Sequence, residues 1–124
     1  MIMLKDNHID YCGGLEKAID LAHQYVQRVK PGLKIEVETR SLEDVARVVQ
    51  MGKGKVFRIM LDNFEPAIIS KALEIINGAF ETEASGGINL ENLEVYAKTG
   101  VDFVSVGALI HQAKSLDLSL KAEV

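Results

Sequence analysis

Short segments of apolar–polar alternation recur along this chain, and a helical period fills the stretches between them. Lys34-Ile35-Glu36-Val37-Glu38-Thr39-Arg40 puts Ile35, Val37 and Thr39 on one face and Glu36, Glu38 and Arg40 on the other, the period of a β-strand. Phe80-Glu81-Thr82-Glu83-Ala84-Ser85 alternates in the same way and stops at Gly86-Gly87. Phe57-Arg58-Ile59-Met60-Leu61-Asp62 and Phe103-Val104-Ser105-Val106-Gly107-Ala108 are short, mostly apolar runs with small or polar ends. Ile2-Met3-Leu4 opens the chain as a fifth apolar run.

Between these runs the spacing changes to that of helices. Leu15, Ala18, Ile19, Ala22, Val26 and Val29 make one stripe, stopped by Pro31-Gly32. Leu42, Val45, Ala46 and Val49 make a second, with Ser41 as N-cap and Asp44 three residues on. Pro66 stands at a first helical position before Ile69, Ala72, Leu73 and Ile76. Asn89 is placed to cap Leu90, Leu93, Tyr96 and Ala97, and Gly100 ends that segment. The predicted order is β-α-β-α-β-α-β-α-β, five strands and four helices, with a short tail through Leu116–Lys121. Such alternation predicts an α/β fold with a parallel sheet covered by helices. A closed (β/α) barrel takes about 250 residues, so residues 1–124 are expected to form one domain that is part of such a barrel.

Composition narrows the class. Hydrophobic residues at 48% and charged residues at 26% suit a globular domain and exclude a disordered or collagen-like chain. No apolar run reaches the ~20 residues of a membrane span. Lys5 and Asp6 fall where a signal peptide would still be apolar, so secretion is not expected. A lone Cys12 makes no internal disulfide and suits a reducing cytoplasm. A net charge of −4 with scattered lysines argues against nucleic acid as a partner.

Ligands of parallel α/β folds bind at the carboxyl ends of the strands. Those ends here are Lys5-Asp6-Asn7-His8, Glu38-Thr39-Arg40, Asp62-Asn63, Ser85-Gly86-Gly87 and Gly107-Ala108. Ordinary turns also use Asp, Asn and Gly, but all except the last of these ends carry groups that can ligate, titrate or hold phosphate. Glu36 and Glu38 on an interior-looking strand must meet water, a cation or each other. Either the strand is an edge with a solvated face, or Glu38 lies in a mouth near Asp62 and holds sugar hydroxyls or Mg²⁺. Asp62-Asn63 also suits a cap of the following helix. Ser85-Gly86-Gly87 ahead of a helix suits a phosphate, whose oxygens would meet backbone N–H groups and a hydroxyl, and Gly107 on the next strand suits the same ligand. Gly52-Lys53-Gly54-Lys55 lacks the spacing of a P-loop and reads as a helix-ending turn. His8, His23 and His111 lack metal-ligand spacing, and Cys12 has no local base.

Seven ordered blocks carry a resemblance across essentially the whole chain. They are Met3-Leu4-Lys5-Asp6-Asn7-His8-Ile9, Ile35-Glu36-Val37-Glu38, Ile59-Met60-Leu61-Asp62-Asn63-Phe64, Glu83-Ala84-Ser85-Gly86-Gly87-Ile88, Thr99-Gly100-Val101-Asp102, Ser105-Val106-Gly107-Ala108-Leu109 and Leu116-Asp117-Leu118-Ser119-Leu120. Together they resemble the barrel of quinolinate phosphoribosyltransferase. The resemblance implies conversion of quinolinate and phosphoribosyl pyrophosphate, with Mg²⁺, into nicotinate mononucleotide, pyrophosphate and carbon dioxide. It also implies roles by position. Lys5, Glu38 and Asp62 would surround the ribosyl donor as catalytic residues, Glu38 and Asp62 also engaging Mg²⁺, and Lys5 would neutralise phosphate or carboxylate charge. Ser85, Gly86 and Gly87, with Val106, Gly107 and Ala108, would hold the 5′-phosphate. Ile110 and Gln112 beside His111 depart from the family's usual Thr and Ser.

The family's N-terminal domain and early barrel strands, which carry the arginines that grip quinolinate, have no counterpart here. Charge points the same way, since Glu36, Glu38, Asp62 and Glu83 outnumber Lys5 and Arg40 in a mouth that must hold anions. The chain is therefore expected to be the C-terminal barrel portion, inactive alone, and completed by a second copy or by a complementing N-terminal half. A non-catalytic half-barrel assembly module and a related nicotinate-using phosphoribosyltransferase are the alternatives.

Overall fold

Each of the five predicted strand runs contains a strand in the computed structural model, which describes residues 1–107 and Lys121, although the fifth is strand only over Phe103–Val104. In chain order the elements are β1 (Ile2–Leu4), α1 (Asp6–Cys12), α2 (Leu15–Val29), β2 (Ile35–Thr39), α3 (Leu42–Met51), β3 (Arg58–Asp62), α4 (Pro66–Ile76), β4 (Glu81–Ser85), α5 (Leu93–Ala97) and β5 (Phe103–Val104). All adjacent strands pair in parallel, in the order β1-β2-β3-β4-β5. Each strand thus lies beside its predecessor, with none of the reversal that marks a doubly wound sheet. This is the progression of a (β/α) barrel, present here as an open five-stranded sheet. Ala108, His111 and most of the expected tail lie outside the described residues.

The pleat sorts side chains by chemistry. Leu4, Ile35, Val37, Ile59, Leu61 and Ala84 join helix residues such as Ile19, Val45, Val48 and Ile69 in one buried apolar cluster. Parallel strands buried on both faces are ordinarily apolar throughout, yet the alternate positions Glu36, Glu38, Arg58, Glu81 and Glu83 are charged. β2 is an interior strand, which removes the edge-strand reading of Glu36 and Glu38.

Differences from the predicted helices have local causes. α1 is additional, because Lys5–His8 was read as a loop. None of its residues is fully buried, so it has no strong apolar stripe, and it ends where Gly13 adopts φ +80°. In α3 the fully buried residues are Val45 and Val48, whereas Ala46 is exposed. At 100° per residue, Ala46 is turned away from Val45 while Val48 returns to within about 60° of it. Val29, at the last position of α2, is 58% exposed.

The caps mostly follow the sequence. Ser41 Oγ accepts the Asp44 N–H at 3.0 Å, and Pro66 stands at the start of α4. Asn89 Oδ1 accepts from the N–H groups of Glu91 and Asn92, capping a turn that precedes α5. Gly52–Lys55 is the helix-ending turn expected, with Gly52 N–H donating to Val48 O at 2.7 Å. Among the described residues no helix is long and apolar enough to cross a membrane.

Candidate active site

Arg40, just past the end of β2, organises the carboxyl ends of β2 and β3. Its Nε and Nη2 lie 3.2 and 3.0 Å from Glu38 Oε1, and its Nη1 donates to Asp6 Oδ2 at 2.5 Å. Nε also lies 3.7 Å from Asp62 Oδ2. Glu38 and Asp62, predicted together from strand-end position alone, therefore share one guanidinium. Burial raises the Glu38 pKa, the charge of Asp62 adds to the rise, and Arg40 and Lys5 oppose it. Asp6 is lowered to about 2, chiefly by its hydrogen bond from Lys121. Lys5 is exposed and makes no direct ion pair among the described residues.

Asp62 and Asn63 do not cap α4, whose N-cap is Glu65. Asn63 instead adopts φ +58°, donates from Nδ2 to Asp62 Oδ2 at 2.8 Å, and donates its N–H to Ser85 O at 2.8 Å. That bond joins the end of β3 to the glycine turn after β4. Gly86 has φ +92°, and a Cβ there would collide with the Asn63 side chain and meet its backbone N at 2.8 Å. Among the described residues, a Cβ at Gly87 or Gly107 would meet nothing within 4 Å. Expected to lead into a helix, Ser85-Gly86-Gly87 leads instead into the turn at Asn89–Asn92, and α5 is only five residues long. A phosphate here would be met by loop N–H groups and the Ser85 hydroxyl, without a helix terminus behind them.

A cavity of about 280 Å³ opens between α1 and the end of β2, lined in part by Asp6, Asp10, Glu38, Arg40, Asp44 and Arg47. Of the predicted site residues it takes in Glu38 alone; Asp62 and the glycine turn lie outside it. Among the described residues no group of three or more His, Cys, Asp or Glu side chains is arranged to hold a metal. Two carboxylates on neighbouring strands do suit a magnesium ion that keeps its waters and is held mainly by substrate phosphates.

A second charged layer lies nearer the amino ends of the strands. Arg58 Nη1 donates to Glu83 Oε2 at 2.8 Å, and Nη2 donates to Glu81 Oε2 at 2.9 Å. The guanidinium stands 4.0 Å from the Phe103 ring centroid. Ser105 Oγ donates to Glu83 Oε1. Glu36 is 2% exposed, and its Oε1 has no hydrogen-bond partner among the described residues. Its pKa is raised to about 7, first by burial and then by the charge of Glu83. Arg58 and Ser105 were missed as site residues. Arg58 sits inside an apolar run, and only counting back by twos from Asp62 through Met60 puts it on the polar face.

Strands laid side by side in chain order, with charged groups gathered on the face away from the helices, define part of a (β/α)-barrel domain. The chain belongs to the quinolinate phosphoribosyltransferase family, whose C-terminal domain description matches residues 1–121. It is 42% identical to quinolinate phosphoribosyltransferase (decarboxylating) 1b of Nicotiana tabacum, over 99% of this chain and 39% of that protein. It is 37% identical to the human nicotinate-nucleotide pyrophosphorylase (carboxylating), over 98% of this chain and 40% of that one. The structure of the nicotinate-nucleotide pyrophosphorylase from Francisella tularensis superposes with a TM-score of 0.80 at 36% identity, covering 97% of this chain and 40% of the other. The chain thus spans about two fifths of the length of these relatives.

Proposed function

We propose that this chain forms the donor-binding side of an active site that transfers the phosphoribosyl group of phosphoribosyl pyrophosphate to quinolinate. The ribose C1–O bond to pyrophosphate breaks and the quinolinate ring nitrogen bonds to C1. The carboxylate beside that nitrogen then leaves as carbon dioxide, and a proton takes up the electron pair it leaves on the ring. Nicotinate mononucleotide and pyrophosphate result, a step of NAD biosynthesis.

The observation that carries this reading is the Glu38–Arg40–Asp62 link, at the same strand ends as the Ser85-Gly86-Gly87 turn. Glu38 and Asp62 would hold the ribose hydroxyls and stabilise positive charge that develops at C1 as pyrophosphate departs. Arg40 opposes the upward shift that burial and the charge of Asp62 impose on Glu38. Lys5 would neutralise phosphate or carboxylate charge. Ser85, Gly86, Gly87, Val106, Gly107 and Ala108 would surround the 5′-phosphate. Magnesium, held by Glu38 and Asp62 together with the donor, would offset the charge of the pyrophosphate.

The same proposal extends to partners. The polar face carries more carboxylates than cations, and Arg40 and Arg58 are already committed to acidic side chains. Further cations for quinolinate would come from a complementing N-terminal half or from a second copy. The β1 side is suited to such a neighbour: β1 pairs on one side only among the described residues, and Tyr11, Leu21 and Tyr25 are exposed nearby. An apolar cavity of about 350 Å³, lined by Met3, Leu4, Cys12, Leu21 and Tyr25 among others, adjoins that edge. The proposed setting is the cytoplasm, where the half-buried free thiol of Cys12 stays reduced.

Calorimetric titration of the chain with phosphoribosyl pyrophosphate and magnesium tests the donor site. Binding is expected, weakened at least about tenfold in Glu38→Gln and Asp62→Asn, the order of one lost charge-assisted contact. Equal affinity in wild type and both variants would remove these residues from the site.

A further inference from the structure

We infer that Glu83 is a positioning residue for the phosphate-holding end of β5, gripping Ser105 while Arg58 grips Glu83 in turn. The inference deepens the proposed function and rests on its placement of the 5′-phosphate at Gly107.

β5 is held by little backbone. It pairs with β4 through Glu83↔Phe103 and Ala84↔Val104, and Ser105 N–H adds a bond to Ala84 O at 2.9 Å. Side chains supply the rest at both ends. At the start of the strand, Asp102 Oδ2 accepts from Thr82 N–H and Thr82 Oγ1 at 2.8 and 2.7 Å. At the other end, two residues before Gly107, Ser105 Oγ donates to Glu83 Oε1. The first tie lies away from the ligand ends of the strands, and the second leads directly into the loop that would meet phosphate.

Glu83 is built as an anchor. One of its oxygens takes the Ser105 hydroxyl and the other takes Arg58 Nη1, so both are committed. Arg58 is itself fixed by Glu81 and by the Phe103 ring, and so reaches from β3 across β4 to β5. A carboxylate buried beside Glu36 is an expensive way to fill space, because an apolar side chain there would avoid both desolvation and repulsion. What an apolar residue lacks is a fixed acceptor for Ser105.

Amide hydrogen exchange and titration with inorganic phosphate, both followed by NMR on the labelled chain, test the inference. In Glu83→Ala the Ser105 and Gly107 amides are expected to exchange about tenfold faster as β5 opens locally. The Asn63 amide, bonded to Ser85 O, should stay unchanged and reports that the fold is retained. Phosphate affinity should fall about fivefold, the scale of one hydrogen bond. Glu83→Gln keeps an acceptor for Ser105 and should recover most of both effects. Ser105→Ala should repeat the loss of affinity and Ser105→Thr restore it, which keeps the test decisive if Glu83→Ala does not fold. Faster exchange with wild-type phosphate affinity would overturn the positioning role alone. No phosphate binding by the wild-type chain would overturn both this inference and the reading of the site on which it rests.

Discussion

Arg40 Nη2 stands 3.0 Å from Glu38 Oε1, and the same guanidinium reaches Asp6 and Asp62. It is the local cation that opposes the upward pressure of burial and of Asp62 on the Glu38 titration. Arg40→Ala is therefore expected to push the Glu38 titration upward, seen in the side-chain carboxyl resonance by NMR. Stability should fall by only about 1 kcal/mol, because the arginine side chain is 44% exposed and its pairs are screened by solvent. An unmoved Glu38 titration would mean that the contact does not set its charge.

Glu36 gives the chain a pH dependence of definite sign. The folded chain holds this proton up to about pH 7, whereas the ordinary value for the carboxyl is 4.5. Between those values the folded state binds more protons than the unfolded one, so the Glu36 contribution to stability declines as pH rises across the window and levels off above it. Glu36→Gln should flatten that decline and raise the melting temperature at pH 8 by several degrees, about the shift that 1 kcal/mol produces in a domain of this size. A thermal melt series from pH 5 to 8 reads both effects, and an undiminished slope in the variant would assign the decline to other groups.

Gly86 and Gly107 should separate by mechanism. Gly86→Ala meets Asn63 and is strained by its φ of +92°, so a loss of about 1–3 kcal/mol is expected in denaturant melts. A Cβ at Gly107 meets nothing among the described residues, and Gly107→Ala should leave stability within about 0.5 kcal/mol. Its effect should fall on phosphate binding, where a methyl group would crowd the proposed 5′-phosphate. Equal stability losses at the two positions would contradict this division.

Much of this arrangement was legible because alternation is a local signal. Ile35–Thr39 and Glu81–Ser85 declare their two faces without reference to anything distant. α1 escaped for the converse reason, since Ile9 and Cys12 are its main contacts with the core and make no stripe. β2 read equally well as an edge or an interior strand, because alternation carries no information about which strands lie alongside. Glu36 and Glu38 were recognised as costly, but what compensates them was hidden. Arg58 reaches Glu83 across 25 positions and Ser105 reaches it across 22. Such pairings are set by register between strands, which the sequence does not display. The mouth residues Glu38, Asp62 and Ser85–Gly87 were visible because strand ends are, whereas Arg40 as their organiser emerged only with the geometry.

In the proposed function this chain supplies the donor side of a phosphoribosyl-transfer site and draws its remaining cations from elsewhere. The decisive assay is turnover of quinolinate and phosphoribosyl pyrophosphate, measured for the chain alone and after mixing with a separately produced N-terminal half of a relative. No turnover is expected of the chain alone, whereas the mixture should turn over and lose that activity when the chain carries Asp62→Asn. Normal turnover by the chain alone, or turnover in the mixture that survives Asp62→Asn, would contradict the proposed function.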